Sequence, residues 1–146
     1  MRYRDLENWR NEWLDPCVCG GEPEREALHA FLAASLDIEC AHLKGEDLIA
    51  AFLDYAKFFD SMPWELLFKL AEWWGMPPGI LKSMRSLYNS MLSYFRINGH
   101  YGEAWGRTNG FAQGCSLSIL FANMFGSLWA KIMTNRAPAV RNGFHR

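Results

Sequence analysis

The run Leu48 to Tyr55 (LIAAFLDY) carries a single ionisable carboxylate, Asp54, near the end of an otherwise apolar stretch. Burying a carboxylate without partners is costly, so Asp54 either reaches solvent or binds something positive. Farther on, Gln113-Gly114 joins a side chain with both donor and acceptor to a residue that lets backbone approach a bound group closely. The following Gly114-Cys115-Ser116 also reads as a plain helix start with Ser116 as cap. Cys17-Val18-Cys19 and Cys40-Ala41-His42 supply four potential zinc ligands. Their one-residue spacers are tighter than the roughly two to four of structural zinc sites, so ordinary partly buried thiols are the competing reading.

Charge divides the chain more sharply than its net value of -1 suggests. Residues 1–72 hold 15 acids against 7 bases, whereas residues 73–146 hold 8 bases and one acid, Glu103. Such a split allows one face to meet a polyanion, with Arg85, Arg96 and Arg107 as candidate phosphate contacts. A cationic surface serving solubility or an acidic partner fits the same count. With 146 residues, 50% apolar and 15% aromatic, the composition is that of an ordered globular chain able to bury a core. No apolar run reaches the ~18 residues of a membrane span, and the start MRYRDLENWRNEWLD is charged throughout. The expectation is an intracellular chain with neither anchor nor secretory leader, whose four cysteines are free thiols.

The elements that must position these residues follow from period and punctuation. Residues 1–23 are broken by Pro16, Gly20, Gly21 and Pro23 and read as a loosely packed lead-in. Glu24 to Leu43 places Leu28, Phe31, Leu32, Leu36 and Ile38 mostly at three- and four-residue intervals, which predicts an amphipathic helix ended by Gly45. Leu48 to Tyr55 predicts a buried strand. Pro63 opens a helix from Trp64 to Trp74 closed by Gly75, with Asp60 ahead of it as a cap. Pro77-Pro78 opens another helix, to about Met91. Tyr94 to Tyr101, with Asn98-Gly99 at its middle, predicts a hairpin, since that pair supplies two positive φ angles. A glycine-punctuated loop from Gly106 to Gly114 then leads to an apolar helix from about Ser116 to Met133, and residues 134–146 read as a basic tail.

Two stretches carry a family resemblance. LDYAKFFDSMPWELLFKLAEWWGMP (Leu53 to Pro77), followed about fifty residues on by NGFAQGCSLSILFANM (Asn109 to Met124), resembles the reverse transcriptase palm of non-LTR retrotransposons and group II intron-type enzymes. The first stretch matches a pattern like LDxxKAFDxVPHxxL at most defining positions. The second matches GxxQGxxLSPxLFN at Gly110, Gln113, Gly114, Leu117, Ser118, Leu120 and Phe121, and one position late at Asn123. The resemblance covers about Leu48 to Met133. It implies an α+β fold, a fragment of a polymerase palm and fingers with helices packed on a small, mostly antiparallel sheet, over residues 24–133.

The resemblance also implies roles. Asp54 would anchor magnesium, with the Tyr55 backbone carbonyl as a second contact, in a family whose two ions stabilise the attacking and leaving oxygens of nucleotidyl transfer. Phe59 would sit beneath the incoming sugar and exclude a 2′-hydroxyl; core packing beside Phe58 is the alternative, one of the two rings being core. Gln113 and Gly114 would lie over the incoming nucleotide and the template base. The implied partners are an RNA template, a DNA primer and deoxynucleoside triphosphates, with no membrane. Three departures limit the match. Phe58 and Ile119 stand where the family has a small residue and a proline, and no Asp follows Asp60 anywhere, so the x-Asp-Asp hairpin that completes the metal site is absent from the sequence. The expectation is a partial reverse transcriptase domain without polymerase activity of its own. A nucleic-acid-binding fragment, or a small zinc-dependent interaction domain on Cys17, Cys19, Cys40 and His42, are the alternatives.

Overall fold

The computed structural model describes residues 3–23, 25, 27–112 and 114–136. A 3-10 turn, Tyr3–Leu6, leads into helix α1 (Glu7–Trp13), followed by α2 (Ala27–Lys44), α3 (Phe58–Ser61), α4 (Trp64–Trp73) and α5 (Pro78–Ser90). Four short strands come next, β1 (Leu92–Ser93), β2 (Arg96–Ile97), β3 (His100–Tyr101) and β4 (Trp105–Gly106), and α6 (Ser116–Arg136) closes the order. The class is α+β, helices with two small antiparallel ladders. Two compact units divide the chain: Met1–Trp9 with Lys57–Ser118, and Arg10–Ala56 with Ile119–Arg146.

In the unit containing Lys57–Ser118, α4 and α5 form a helical pair with a mostly apolar interface. Leu67, Phe68 and Ala71 of α4 and Leu81, Met84 and Tyr88 of α5 are buried. The turn between them is set by Gly75, whose φ of 78° suits a residue without Cβ. Its N–H reaches the Glu72 carbonyl while that of Met76 reaches the Ala71 carbonyl, the paired bonds of a glycine helix stop. Pro78 then starts α5 where a missing N–H costs nothing. Tyr88 lies among three rings, with centroids 5.3 Å from Trp64, 4.8 Å from Phe111 and 6.2 Å from Phe68. The Asn98-Gly99 turn has φ of 50° and 84° and pairs Ile97 with His100 and Arg96 with Tyr101, as its sequence requires. An outer ladder extends the hairpin by pairing Leu92 with Gly106 and Ser93 with Trp105.

In the other unit α6 is the central element. Leu120, Phe121, Met124 and Ala130 are fully buried, and the polar residues between them are bonded. Asn123 donates to the Glu22 carboxylate at 2.8 Å, Glu22 pairs with Arg10 at 3.2 Å, and Ser127 Oγ accepts the Asp15 N–H at 3.0 Å. These bonds hold the segment after α1 against α6.

Four expectations change. The lead-in is not loose: Leu6, Trp9, Trp13 and Cys17 are buried, and the Trp9 indole donates to the Trp74 carbonyl at 2.6 Å. Leu48 to Tyr55 forms no strand, because a strand requires a ladder partner and both ladders are closed by β1 to β4 among themselves. Its side chains are exposed, Ile49 at 95% and Phe52 at 87%. Thr134 to Arg136 continue α6 instead of opening a tail, and residues 137–146 lie outside the described residues. Finally, Leu117–Arg136 has the length and mean hydropathy (1.2) of a membrane span, where the sequence pattern led to none being expected. Its buried Asn123 and Ser127, each bonded to a polar group of its own unit, are those of a core helix.

Candidate functional site

The two stretches of the resemblance are joined by hydrogen bonds across the loop that precedes α6. The Phe111 N–H donates to the Phe59 carbonyl at 2.8 Å and the Gly110 N–H to the Met62 carbonyl at 2.9 Å. The buried Trp64 indole donates to the Gly110 carbonyl at 2.7 Å, and Pro63 forms an isolated bridge with Asn109. Residues almost fifty positions apart thus form one clamp, with Met62, Trp64 and Phe111 as its buried anchors.

Local backbone chemistry explains how the chain enters this clamp. Lys57 has φ of 50°, a left-handed conformation uncommon for a residue with a Cβ, and its carbonyl accepts the N–H groups of Asp60 and Ser61. Gly110 has φ of 84°, and a Cβ there would meet the Asp60 carbonyl oxygen at 2.7 Å and also the Arg107 guanidinium. Glycine is therefore required twice over, by conformation and by space. Pro63 fixes the start of α4 but offers no N–H, and no side chain caps that helix.

Asp60 does not cap α4. Its carboxylate pairs with Arg107 at 3.4 Å on the exposed side of the clamp. Arg107 is thus held by an acid, as is Arg85 by Glu72 at 3.5 Å, and Arg96 lies over the Tyr101 ring at 5.5 Å. Such exposed pairs contribute little and are readily exchanged for another anion.

The residues singled out from the sequence fall as follows. Phe59 is half-buried, as is Phe58, their centroids 5.5 Å apart, so neither ring is the fully buried core residue the sequence suggested. Gly114 is exposed with φ of 84° and open space around its missing Cβ, so the turn alone explains it within the chain. Gln113 lies outside the described residues. Asp54 and Tyr55 belong to the other unit, where Asp54 is exposed and Tyr55 sets its ring edge-on to Phe125 at 5.9 Å. The structure therefore gathers Phe59 with the Asn109–Phe111 flank of the glutamine loop. The Trp64 indole bond and the Asp60–Arg107 pair were not foreseen; an indole four residues after an aspartate gives no sign of its acceptor.

Neither metal reading finds its ligands. Among the described residues no group of three His, Cys, Asp or Glu side chains gathers. Asp54 alone does not fit a two-ion magnesium centre, whose metals stand about 4 Å apart and need shared carboxylates. For zinc, Cys17 is buried, and burial first, then the neighbouring Asp15, pushes its thiol up to about 12. Burial, and secondarily Cys115, likewise pushes the Tyr88 phenol up to about 12. No family model, no curated protein and no solved structure matches the chain.

Proposed function

We propose that the chain is a partial reverse transcriptase domain of retroelement origin that binds nucleic acid and does not polymerise. The observation that supports this reading is the clamp: the FFDSMPW and NGF segments, which lie in the two stretches that resemble family patterns, are bonded to one another at 2.7 to 2.9 Å. A chance likeness of letters gives no reason for the two to be neighbours. The parent chemistry is RNA-templated DNA synthesis by two-metal transfer, but without a second carboxylate motif the sequence holds no centre for it, and no catalytic step is assigned to Asp54. Binding rests on the basic half of the chain, whose exposed Arg85 and Arg107 pairs are weak enough for phosphate to displace their acids. The zinc-dependent alternative lacks its cluster: among the described residues no three His, Cys, Asp or Glu side chains gather.

The test combines binding and incorporation on one labelled primer-template. Fluorescence anisotropy is expected to show micromolar binding that weakens steeply as salt rises, with no extension when magnesium and all four deoxynucleotides are added. Extension by the chain alone would overturn the inactivity, and absence of binding at low salt would overturn the nucleic-acid reading.

A further inference from the structure

The β2–β3 hairpin carries aromatic rings that are open to solvent. Antiparallel pairing of Arg96 with Tyr101 sets both side chains on one face, and alternation along the strand adds Tyr94 to it. The contacts agree: the Tyr94 and Tyr101 rings meet edge to face with centroids 5.2 Å apart, and the Arg96 guanidinium lies over the Tyr101 ring at 5.5 Å. Tyr94 is 55% exposed and Tyr101 62%, and Arg96 is exposed as well. The hairpin also lies where the chain is free of negative charge. From Trp73 to Gly102 the sequence has Lys82, Arg85 and Arg96 and no Asp or Glu, Glu103 being the next acid. Arg85 is held by Glu72, but among the described residues no carboxylate pairs with Arg96.

We infer that the face formed by Tyr94, Arg96 and Tyr101 binds single-stranded nucleic acid by stacking its unpaired bases. The inference rests on the nucleic-acid reading and adds where the strand is held and in which form. Stacking needs ring faces within reach of solvent. Of the four faces of the two tyrosines, the edge contact takes one and Arg96 another, so within this trio two remain for a ligand. Phe95 and Trp105, by contrast, lie against one another with centroids 4.7 Å apart and their planes only 36° from parallel, which takes a face of each ring. Every base has a flat π face, so exposed rings beside a cation hold a strand without reading its sequence. Arg96, already placed against one ring, adds a cation for the phosphate that joins stacked bases. A duplex keeps its bases stacked on one another and has none to offer these rings. An acidic peptide would meet the same charge, but it gives no reason for two tyrosines to lie open beside the arginine.

Fluorescence anisotropy on the full chain tests it, with labelled oligothymidylate, an abasic strand of equal length and a blunt duplex as probes. The abasic strand keeps the phosphates and loses everything that stacks. Oligothymidylate is expected to bind at least about tenfold more tightly than the abasic strand at the same salt. Tyr94→Ala combined with Tyr101→Ala is expected to remove that margin and to leave binding of the abasic strand and of the duplex unchanged. Tyr94→Phe combined with Tyr101→Phe is expected to keep it, since the ring stacks and the hydroxyl does not. Ultraviolet crosslinking of the wild type to oligothymidylate, mapped by peptide mass, is independent of any effect of substitution on folding, and its adducts are expected on Tyr94 or Tyr101. Equal, salt-dependent binding of oligothymidylate and the abasic strand would overturn the stacking site and leave the nucleic-acid reading standing, whereas no binding of any probe would overturn both. A margin that survives the alanine substitutions, adducts confined to residues outside 94–101, or polyglutamate that competes as well as oligothymidylate would also overturn the site.

Discussion

The two compact units treat similar sequence patterns in opposite ways. In the unit with Lys57–Ser118, the apolar stripes of α4 and α5 meet, and Tyr88 is buried among Trp64, Phe68 and Phe111. In the other, Leu28, Phe31 and Leu43 of α2 are also spaced for one side of a helix, though Glu39 and His42 interrupt them, and they face outward; the greasy run after it is open too. Periodicity states which side of a helix prefers to be covered; whether anything covers it depends on what the fold brings there. The clamp is the same lesson in small. Asp60 was suited to cap a helix, but Arg107 arrived from forty-seven residues away and took its carboxylate.

Substitutions sharpen that contrast, and the largest effects belong inside the aromatic cluster. Phe68→Ala is expected to destabilise by about 3–5 kcal/mol in denaturant titration, whereas Leu43→Ala on the open stripe changes stability of the isolated chain by less than about 0.5 kcal/mol. Equal losses at the two positions would mean that α2 is as well covered as α4. Next comes the buried acid beneath α6. Glu22→Gln removes the negative charge beside Arg10 where both side chains are almost fully buried, and is expected to cost roughly 3 kcal/mol. A loss no larger than that of a surface carboxylate would contradict the arrangement.

Gly110→Ala comes third, at about 1–3 kcal/mol, since it combines a left-handed backbone with a clash against the Asp60 carbonyl. Full thermal stability in that variant would show that the clamp yields. High pH is the fourth test. Cys17 has its folded pKa raised from 9.0 to about 12, so its contribution is complete below pH 9 and is lost as pH climbs through 12, by roughly 3 kcal/mol at pH 11. Tyr88 acts in the same direction between 10 and about 12. Cys17→Ala is expected to flatten the decline of unfolding free energy above pH 9, and an unaltered slope would place that thiol in water. The smallest change is expected at the exposed Arg107–Asp60 pair, where Arg107→Ala costs less than about 1 kcal/mol in the same titration.

Local rules carried much of the architecture. The Asn98-Gly99 hairpin follows from turn chemistry alone, and α4 and α5 begin and stop within a residue or two of where Pro63, Gly75 and Pro78 put them. What local rules missed depends on distant partners. Helix α1 spans seven residues, too short to be stable by itself, and the Trp9 bond to Trp74 comes from sixty-five residues away. Leu48 to Tyr55 has strand composition, but composition supplies no neighbour with which to share hydrogen bonds. Of the candidate site, the two motif segments were legible and their mutual bonds were not, since carbonyl–amide pairing leaves no trace in residue type. Asp54 was legible as an unusual carboxylate; its exposure was not.

Amide hydrogen exchange, read residue by residue, tests the clamp against the open run most directly. The Gly110 and Phe111 amides, each bonded to a carbonyl of the Phe59–Met62 segment, are expected to exchange only with opening of their unit. The amides of Ala50 to Asp54 are expected to exchange near the rate of an unstructured peptide. Rapid exchange at Gly110 and Phe111, or strong protection along Ala50 to Asp54 in the monomeric chain, would contradict the account.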